Sequence, residues 1–268
     1  MNDRHEKIYQ LLNKNGSVSM ALLKEEIYAS EATIRRDLAK MEAEGLLIRT
    51  WGGAIAANGM NCDPPSFVRS NANVNEKNAI ARIAMTFLQN NMTIFLASGT
   101  TVTRFASYFQ KHQNITVITN GLDTANVLKN HPHAKIIMLG GALHENYDLI
   151  GNITETVIEQ LNADIFFFSC SGITAEGFTS MDMERLNIIK KMKKNSSKTI
   201  LLCDTSKVGK KYTYRGFDFD EIDFVVMESK PNDPALRKIL GKKLITSKTI
   251  FDEKKQEIFI DTYFHQPL

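Results

Sequence analysis

Five short apolar runs recur between residues 93 and 203, and each stops at a small or polar residue. Thr93–Ala97 leads into Ser-Gly-Thr-Thr and Ile115–Thr119 into Asn-Gly. Lys135–Leu139 leads into Gly-Gly, Asp164–Phe168 into Ser-Cys-Ser-Gly-Ile, and Thr199–Cys203 into Asp-Thr-Ser-Lys. Helical patterns lie between several of them. Apolar runs alternating with helices predict an α/β domain built on a largely parallel sheet.

In such sheets ligands bind beyond the carboxyl ends of the strands, where the strand order reverses. Ser98, Gly99, Thr100 and Thr101 follow the first run and open a helix. Unpaired amides, a positive helix end, hydroxyls and a glycine that admits close approach make an anion site. Gly140, Gly141 and Gly172 leave similar room, and Lys207 can bring a cation to the same mouth. Any one of these strand ends alone is ordinarily a tight turn. They converge in space only if the sheet is parallel.

Upstream, the pattern is different. Ile8, Leu11 and Leu12 mark a helix over Arg4–Asn15 that Gly16 ends. Ser19 caps a second helix, Met20–Ile27, with Leu22, Leu23 and Ile27 facing inward. After Tyr28-Ala29, Ser30 caps a third helix whose buried stripe is Ile34, Leu38 and Met41. Arg35 and Arg36 follow the first buried residue, so at least one projects outward. Gly45 ends this helix, Leu46-Leu47-Ile48 form a strand, and Arg49 to Gly53 form a wing. Two helices, a turn and a polar-faced third element make a helix-turn-helix, whose arginine forks suit guanine edges or phosphates. A three-helix module with two solvated arginines, or a protein-binding winged helix, fits the same pattern. Residues 1–58 hold eight Lys and Arg against eight Asp and Glu, so no basic footprint decides the matter.

The bulk numbers set outer limits. A chain of 268 residues has room for a small and a larger domain. No run of about 18 apolar residues predicts a membrane span. The polar N-terminus lacks a signal-peptide apolar region. Cys62, Cys170 and Cys203 are odd in number and far apart, which suits neither a disulfide framework nor a zinc site and favours a reducing cytoplasm. His131 and His133 flank Pro132 and cannot share a helix face as metal ligands. No metal or cofactor is expected. Ala56 to Asn75, with Pro64-Pro65, reads as a surface connection. Ile80, Ile83, Ala84 and Phe87 then mark an amphipathic helix. Near the end, Asp233–Lys243 reads as helix and Lys248–Asp252 as a strand.

The string ATIRRDLAKMEAEGLLIRTWGGA resembles the winged helix-turn-helix of the DeoR family of bacterial transcriptional regulators. Downstream, LASGTT, ITNG, MLGG, SGITAEG and CDTSK follow the order of motifs in that family's sensor domain. The likeness runs from residue 3 to about 230. It implies a winged helix-turn-helix over 3–58, a linker over 59–75, a sensing α/β domain over 76–250 similar in fold to ribose-5-phosphate isomerase, and a C-terminal segment over 251–268. It implies a repressor of carbohydrate-metabolism genes that binds an operator in double-stranded DNA as a homo-oligomer, relieved by a phosphorylated sugar or polyol that it does not convert. Ser30, Glu31, Thr33, Arg35, Arg36, Arg49 and Trp51 would meet the DNA. Ser98 to Thr101 would cradle phosphate, and Asn120, Gly140, Gly141, Gly172, Asp204 and Lys207 would line the remainder.

The chain departs from the family at three places. Trp51 replaces a usual His, Tyr28-Ala29 fills a turn that more often holds smaller residues, and Ala97 stands where an Asp is common. An acid at 97 could hold a sugar hydroxyl. Its absence also counts against the alternative, a sugar-phosphate isomerase or deaminase with an accessory N-terminal domain, because isomerisation needs a positioned base.

Overall fold

The computed structural model describes residues 3–43, 46–56, 66–109, 114–144 and 146–247. Gly45, the expected strand at Lys248–Asp252 and the segment 251–268 lie outside these. The chain divides into two compact units, Met1–Pro64 and Pro65–Leu268.

In the first unit, α1 (Asp3–Asn15) buries Ile8 and Leu12. Strand β1 (Ser17–Ser19) follows, then α2 (Met20–Glu26), whose cap is the Ser19 hydroxyl accepting from the Leu22 amide at 3.1 Å. Removing such an acceptor costs about 1 kcal/mol. Ser19→Ala should therefore lower the unfolding midpoint of this unit, and Ser19→Asp should restore it; equal midpoints for all three would show that the cap contributes nothing.

Helix α3 (Glu31–Ala43) turns Ile34, Leu38 and Met41 inward, as their spacing predicts. Strands β2 (Leu47–Thr50) and β3 (Gly53–Ala56) form the wing hairpin. β1 pairs with β3, giving a three-stranded antiparallel sheet in the order β1-β3-β2. The sequence pattern does not announce β1, since three residues show no alternation. Its trace is Gly53: a Cβ there would fall 1.9 Å from the Val18 carbonyl oxygen, whereas one on Gly52 meets nothing within 4 Å.

The second unit opens with α4 (Ser66–Asn71) and α5 (Val74–Ala84), the latter continued by a 3-10 turn through Phe87. The stretch expected to be plain surface connection is thus helical over 66–71. Six residues are too few for an apolar period to show. The sheet strands alternate with helices thereafter: β4 (Thr93–Leu96), α6 (Thr100–Ala106), β5 (Ile115–Thr119), α7 (Leu122–Leu128) and β6 (Ala134–Met138). A hairpin, β7 (Ala142–His144) and β8 (Asp148–Ile150), leads to α8 (Asn152–Ile158) and β9 (Ala163–Phe168). Then come β10 (Gly172–Thr174), β11 (Gly177–Ser180), α9 (Met183–Lys194), β12 (Ser196–Leu202), β13 (Tyr214–Arg215), β14 (Phe224–Val226), α10 (Pro234–Leu240) and β15 (Leu244–Ile245). The helix expected over Asp233–Lys243 is α10 followed by a 3-10 turn.

The main sheet has seven strands in the order β15-β14-β12-β9-β4-β5-β6, all paired in parallel. All five predicted runs are in it. Their two faces make two cores. Ile94, Leu96, Val117, Ile165, Phe167, Ile200 and Leu202 pack with Ile80, Ala84, Val102 and Phe105 from α5 and α6. Phe95, Ala97, Ile118, Phe166, Phe168, Leu201 and Cys203 pack with Ile158, Leu186, Met192 and Leu236 from α8, α9 and α10. Burial on both faces is why these strands read as continuous apolar runs. From β4 the chain moves outward through β5 and β6, then returns to β9 on the other side of β4. The strand order therefore reverses between β4 and β9.

Candidate functional site

In the first unit, the start of α3 is built as its sequence requires. The Ser30 hydroxyl accepts from the Thr33 amide at 3.3 Å and lies 2.9 Å from the Thr33 hydroxyl. Arg35 and Arg36 both project to solvent. They are not equivalent. Arg35 donates through Nε and Nη2 to Glu31 Oε1, at 3.1 and 2.8 Å, and Glu31 also holds Lys24. Hydrogen bonds from Lys24 and then Arg35 keep the Glu31 carboxyl below the usual range. Arg36 has no acidic partner among the described residues.

Asp37, next to Arg36 in the sequence, carries no signal there of its role. It is only 8% exposed and accepts from Arg4 Nε at 2.9 Å, with His5 Nε2 at 3.1 Å. Burial works to raise its pKa, but the bonds from Arg4 and His5 outweigh that and leave it lowered. The reading helix is thereby fixed to α1. In the wing, Trp51 is fully exposed at the β2–β3 tip. Arg49 is already engaged: its amide reaches Glu42 Oε1 at 2.8 Å and its Nε reaches Oε2 at 2.6 Å. Tyr28, in the turn before α3, is fully exposed as well.

In the second unit, a cleft opens at the carboxyl ends of β4 and β5, beside the reversal point. Ser98, Gly99, Thr100 and Thr103 line it with Ser66, Arg69, Gly121, Asp123, Asn146, Tyr147 and Arg185. Gly99 has φ +145, open to glycine alone, and α6 begins after it without a side-chain cap. Its first amides are therefore available to an anion. Thr101 is buried, and its hydroxyl has no hydrogen-bond partner among the described residues.

The Ser98 loop is braced from beneath. Its amide donates to Asn120 Oδ1 at 2.9 Å, and Asn120 Nδ2 donates to the Leu149 carbonyl at 3.0 Å. Asn120 thus supports the loop rather than lining the cleft. The Ser98 hydroxyl donates to Asp148 Oδ2 at 2.8 Å. Asp148, fully buried, is also held by Arg185 through Nε at 2.7 Å and Nη2 at 3.2 Å, and lies 3.3 Å from His144 Nδ1. Burial pushes its pKa up, yet Arg185 and Ser98 together bring it below the ordinary carboxylate value.

Across the reversal point, Lys207 donates to Ser169 Oγ at 2.9 Å and faces buried Asp204 at 3.8 Å. Burial opposes its charge, but Asp204 keeps its pKa raised. Lys77, on α5, is buried and brought down to about 8, by burial first and then by Lys207, with Arg69 and Arg104 adding to it and Asp204 opposing. Lys207, Arg69 and Arg104 thus act against the Lys77 charge, and Asp204 acts for it.

Of the three glycines expected to leave room, Gly141 and Gly172 do not, whereas a Cβ on Gly140 would meet only the Ile153 side chain at 3.8 Å. A Cβ on Gly141 would lie 2.0 Å from Thr154 Oγ1, and one on Gly172 would lie 2.3 Å from the Lys210 carbonyl oxygen. Their space is filled by the protein's own chain. The Gly140 carbonyl accepts from the Thr154 hydroxyl at 2.6 Å. Ala97 is buried in the apolar core. Cys170 and Cys203, far apart in sequence, are buried thiols with sulfurs 3.8 Å apart at the ends of neighbouring strands.

Among the described residues no helix is long and apolar enough to cross a membrane. Residues 4–59 match the model of a DeoR-like helix-turn-helix domain, and residues 72–229 that of the DeoR C terminal sensor domain. The chain is 31% identical over 238 residues to the HTH-type transcriptional regulator GolR of Listeria innocua serovar 6a, spanning 88% of this chain and 94% of that one. It is 32% identical over 212 residues to a lactose phosphotransferase system repressor of Staphylococcus epidermidis, spanning 78% of this chain and 84% of the relative. A solved D-ribose-5-phosphate isomerase in complex with phospho-erythronic acid overlaps 49% of this chain and 52% of its own, at 16% identity and a TM-score of 0.38.

Proposed function

This chain belongs to the DeoR family of transcriptional regulators, and from that premise we propose that it represses carbohydrate-metabolism genes until a phosphorylated sugar or polyol enters the cleft beside Ser98. In this reading residues 3–58 hold the operator and residues 76–250 sense the effector. The protein works in the cytoplasm as a homo-oligomer on repeated half-sites, and it releases its effector unchanged. The observation that carries the reading is the cleft at the carboxyl ends of β4 and β5, lined by Arg69, Arg185, Ser98, Thr100 and Thr103 beside the uncapped start of α6.

A thermal-shift screen tests it. A ligand at about a hundred times its Kd stabilises the folded state by about 2.7 kcal/mol. Phosphorylated sugars or polyols should raise the unfolding midpoint where their unphosphorylated forms do not, and the stabilising compound should weaken binding to the chain's own upstream DNA. A panel with no such member, or turnover of a stabilising compound, would overturn the proposal. Strengthened rather than weakened DNA binding would make the protein an effector-dependent binder instead.

The acid–base behaviour of Lys77 gives a second check. Burial and the Lys207 charge bring its pKa down to about 8. A bound phosphate dianion favours the charged ammonium, so binding draws a proton in. Affinity should fall as the pH rises from about 7 to 9. Titration calorimetry in buffers of different ionisation enthalpy reads both effects; constant affinity over that range would remove Lys77 from the site.

A further inference from the structure

We propose that Cys170 and Cys203 form a covalent modification site, at which a hydroperoxide converts the two thiols into an intramolecular disulfide, Cys170 attacking and Cys203 resolving. The site stands apart from the effector reading, since neither thiol lines the cleft beside Ser98.

The fold brings together two cysteines that are far apart in sequence. Cys170 lies just beyond the end of β9 and Cys203 just beyond the end of β12, two neighbouring parallel strands. Their register pairs Phe168 with Leu201, and carried two residues on it sets Cys170 opposite Cys203. In-register neighbours on adjacent strands lie about 4.8 Å apart, inside the Cα separation of roughly 4.4–6.8 Å that a disulfide spans. Both side chains point into the same core, and their sulfurs are 3.8 Å apart. Closing the pair therefore asks the sulfurs to approach one another and leaves the strands in place.

The two thiols are unequal. Cys203 is 0% exposed and Cys170 is 9% exposed, so a water-sized oxidant meets Cys170 first. The hydrogen bond with Cys203 lowers the pKa of Cys170 against its burial, and the Lys207 charge adds to this. The same bond and burial push the Cys203 thiol well above its ordinary value. A thiolate is the attacking form, which again selects Cys170. Its sulfur attacks one peroxide oxygen: an S–O bond forms, the O–O bond breaks, and the departing oxygen leaves with the Cys170 proton as water or alcohol. The Cys203 sulfur then attacks the resulting sulfenic acid. The S–S bond forms, the S–O bond breaks, and hydroxide leaves as water with the Cys203 proton. The thiols lose two electrons and the peroxide gains them. In a reducing compartment such a bond is transient, formed under oxidant and reversed by cellular thiols. It also alters the neighbourhood: Cys170 and Cys203 both help to hold the charge on Lys207, and a neutral disulfide leaves that ammonium facing Asp204 without them.

The test uses the full chain carrying Cys62→Ser, so that the pair supplies the only thiols, with hydrogen peroxide as oxidant. Reduced protein is exposed to peroxide, unfolded, alkylated, weighed and digested. The treated chain should lose the mass of two hydrogens and both alkylation sites, yield one joined peptide containing Cys170 and Cys203, and recover both thiols in dithiothreitol. Adding Cys203→Ala should halt the reaction at a Cys170 sulfenic acid that dimedone captures, whereas Cys170→Ala should leave Cys203 unlabelled.

Two alkylatable thiols remaining after peroxide, added oxygen without a joined peptide, or a bond between two molecules would each overturn the site. That measurement leaves both cysteines in place, so it decides the matter even where an alanine variant does not fold. Dimedone on Cys203 in Cys170→Ala, with none on Cys170 in Cys203→Ala, would overturn the assigned order of attack.

Discussion

Replacing Arg185 with alanine should destabilise the sensor unit by about 3–5 kcal/mol, as removal of one partner from a buried ion pair does. Asp148 is fully buried and takes two hydrogen bonds from this guanidinium. Without it, the Ser98 hydroxyl and the His144 ring alone face a carboxylate that water cannot reach. The pH dependence separates this cause from lost packing. In the wild type the folded pKa of Asp148 lies below its ordinary value of 3.8. A carboxyl with a depressed folded pKa stabilises the protein above its unfolded pKa, and that contribution disappears as the pH falls through the folded one. In the variant, burial is opposed only by Ser98 and His144, and the folded pKa rises. The stability gap between the two proteins should therefore narrow between about pH 7 and pH 4.5. Urea unfolding at both values measures it. A gap of equal size at the two pH values would mean that packing, not stranded charge, is responsible.

Arg36→Ala should reduce operator affinity by about 1–3 kcal/mol and relax the choice of base at one position. Arg36 stands beside the capped start of α3 with no acidic partner among the described residues. Arg35 next to it is bound to Glu31, so reaching DNA means first giving up that pair, and Arg35→Ala should have the smaller effect. Binding curves on the operator and on base-substituted copies, at two salt concentrations, distinguish reading from gripping. A phosphate contact would weaken every sequence alike and flatten the salt dependence by about one ion. A larger loss for Arg35→Ala than for Arg36→Ala would reverse the assignment.

What the amino-acid order discloses follows from where the partners of each residue lie. A strand buried on both faces writes its own apolar run, so the centre of the parallel sheet is legible. Phe224–Val226 and Leu244–Ile245 are too short to show a period, and the small hairpins beside the sheet share that problem. Asp37 resembles a solvated helix residue until Arg4 and His5 are brought to it from α1. Asp148 and Arg185 likewise meet only through the fold. The glycines mark a subtler limit. Each announces a backbone that no side chain suits, but not why: at Gly99 the cause is its φ of +145, whereas at Gly141 and Gly172 the protein's own chain approaches closely. Resemblance to a family locates the neighbourhood of a site. It does not distinguish Asn120, which braces the Ser98 loop, from the residues that line the cleft.

The paired wing glycines bear on redesign. Position 53 is closed, because any side chain there would drive into the Val18 carbonyl and part β1 from β3, while its neighbour 52 stands open. A library meant to retarget this protein to new promoters can therefore diversify residues 51 and 52 freely and should hold 53 constant; clones altered at 53 will be lost to misfolding before their binding preference can be selected.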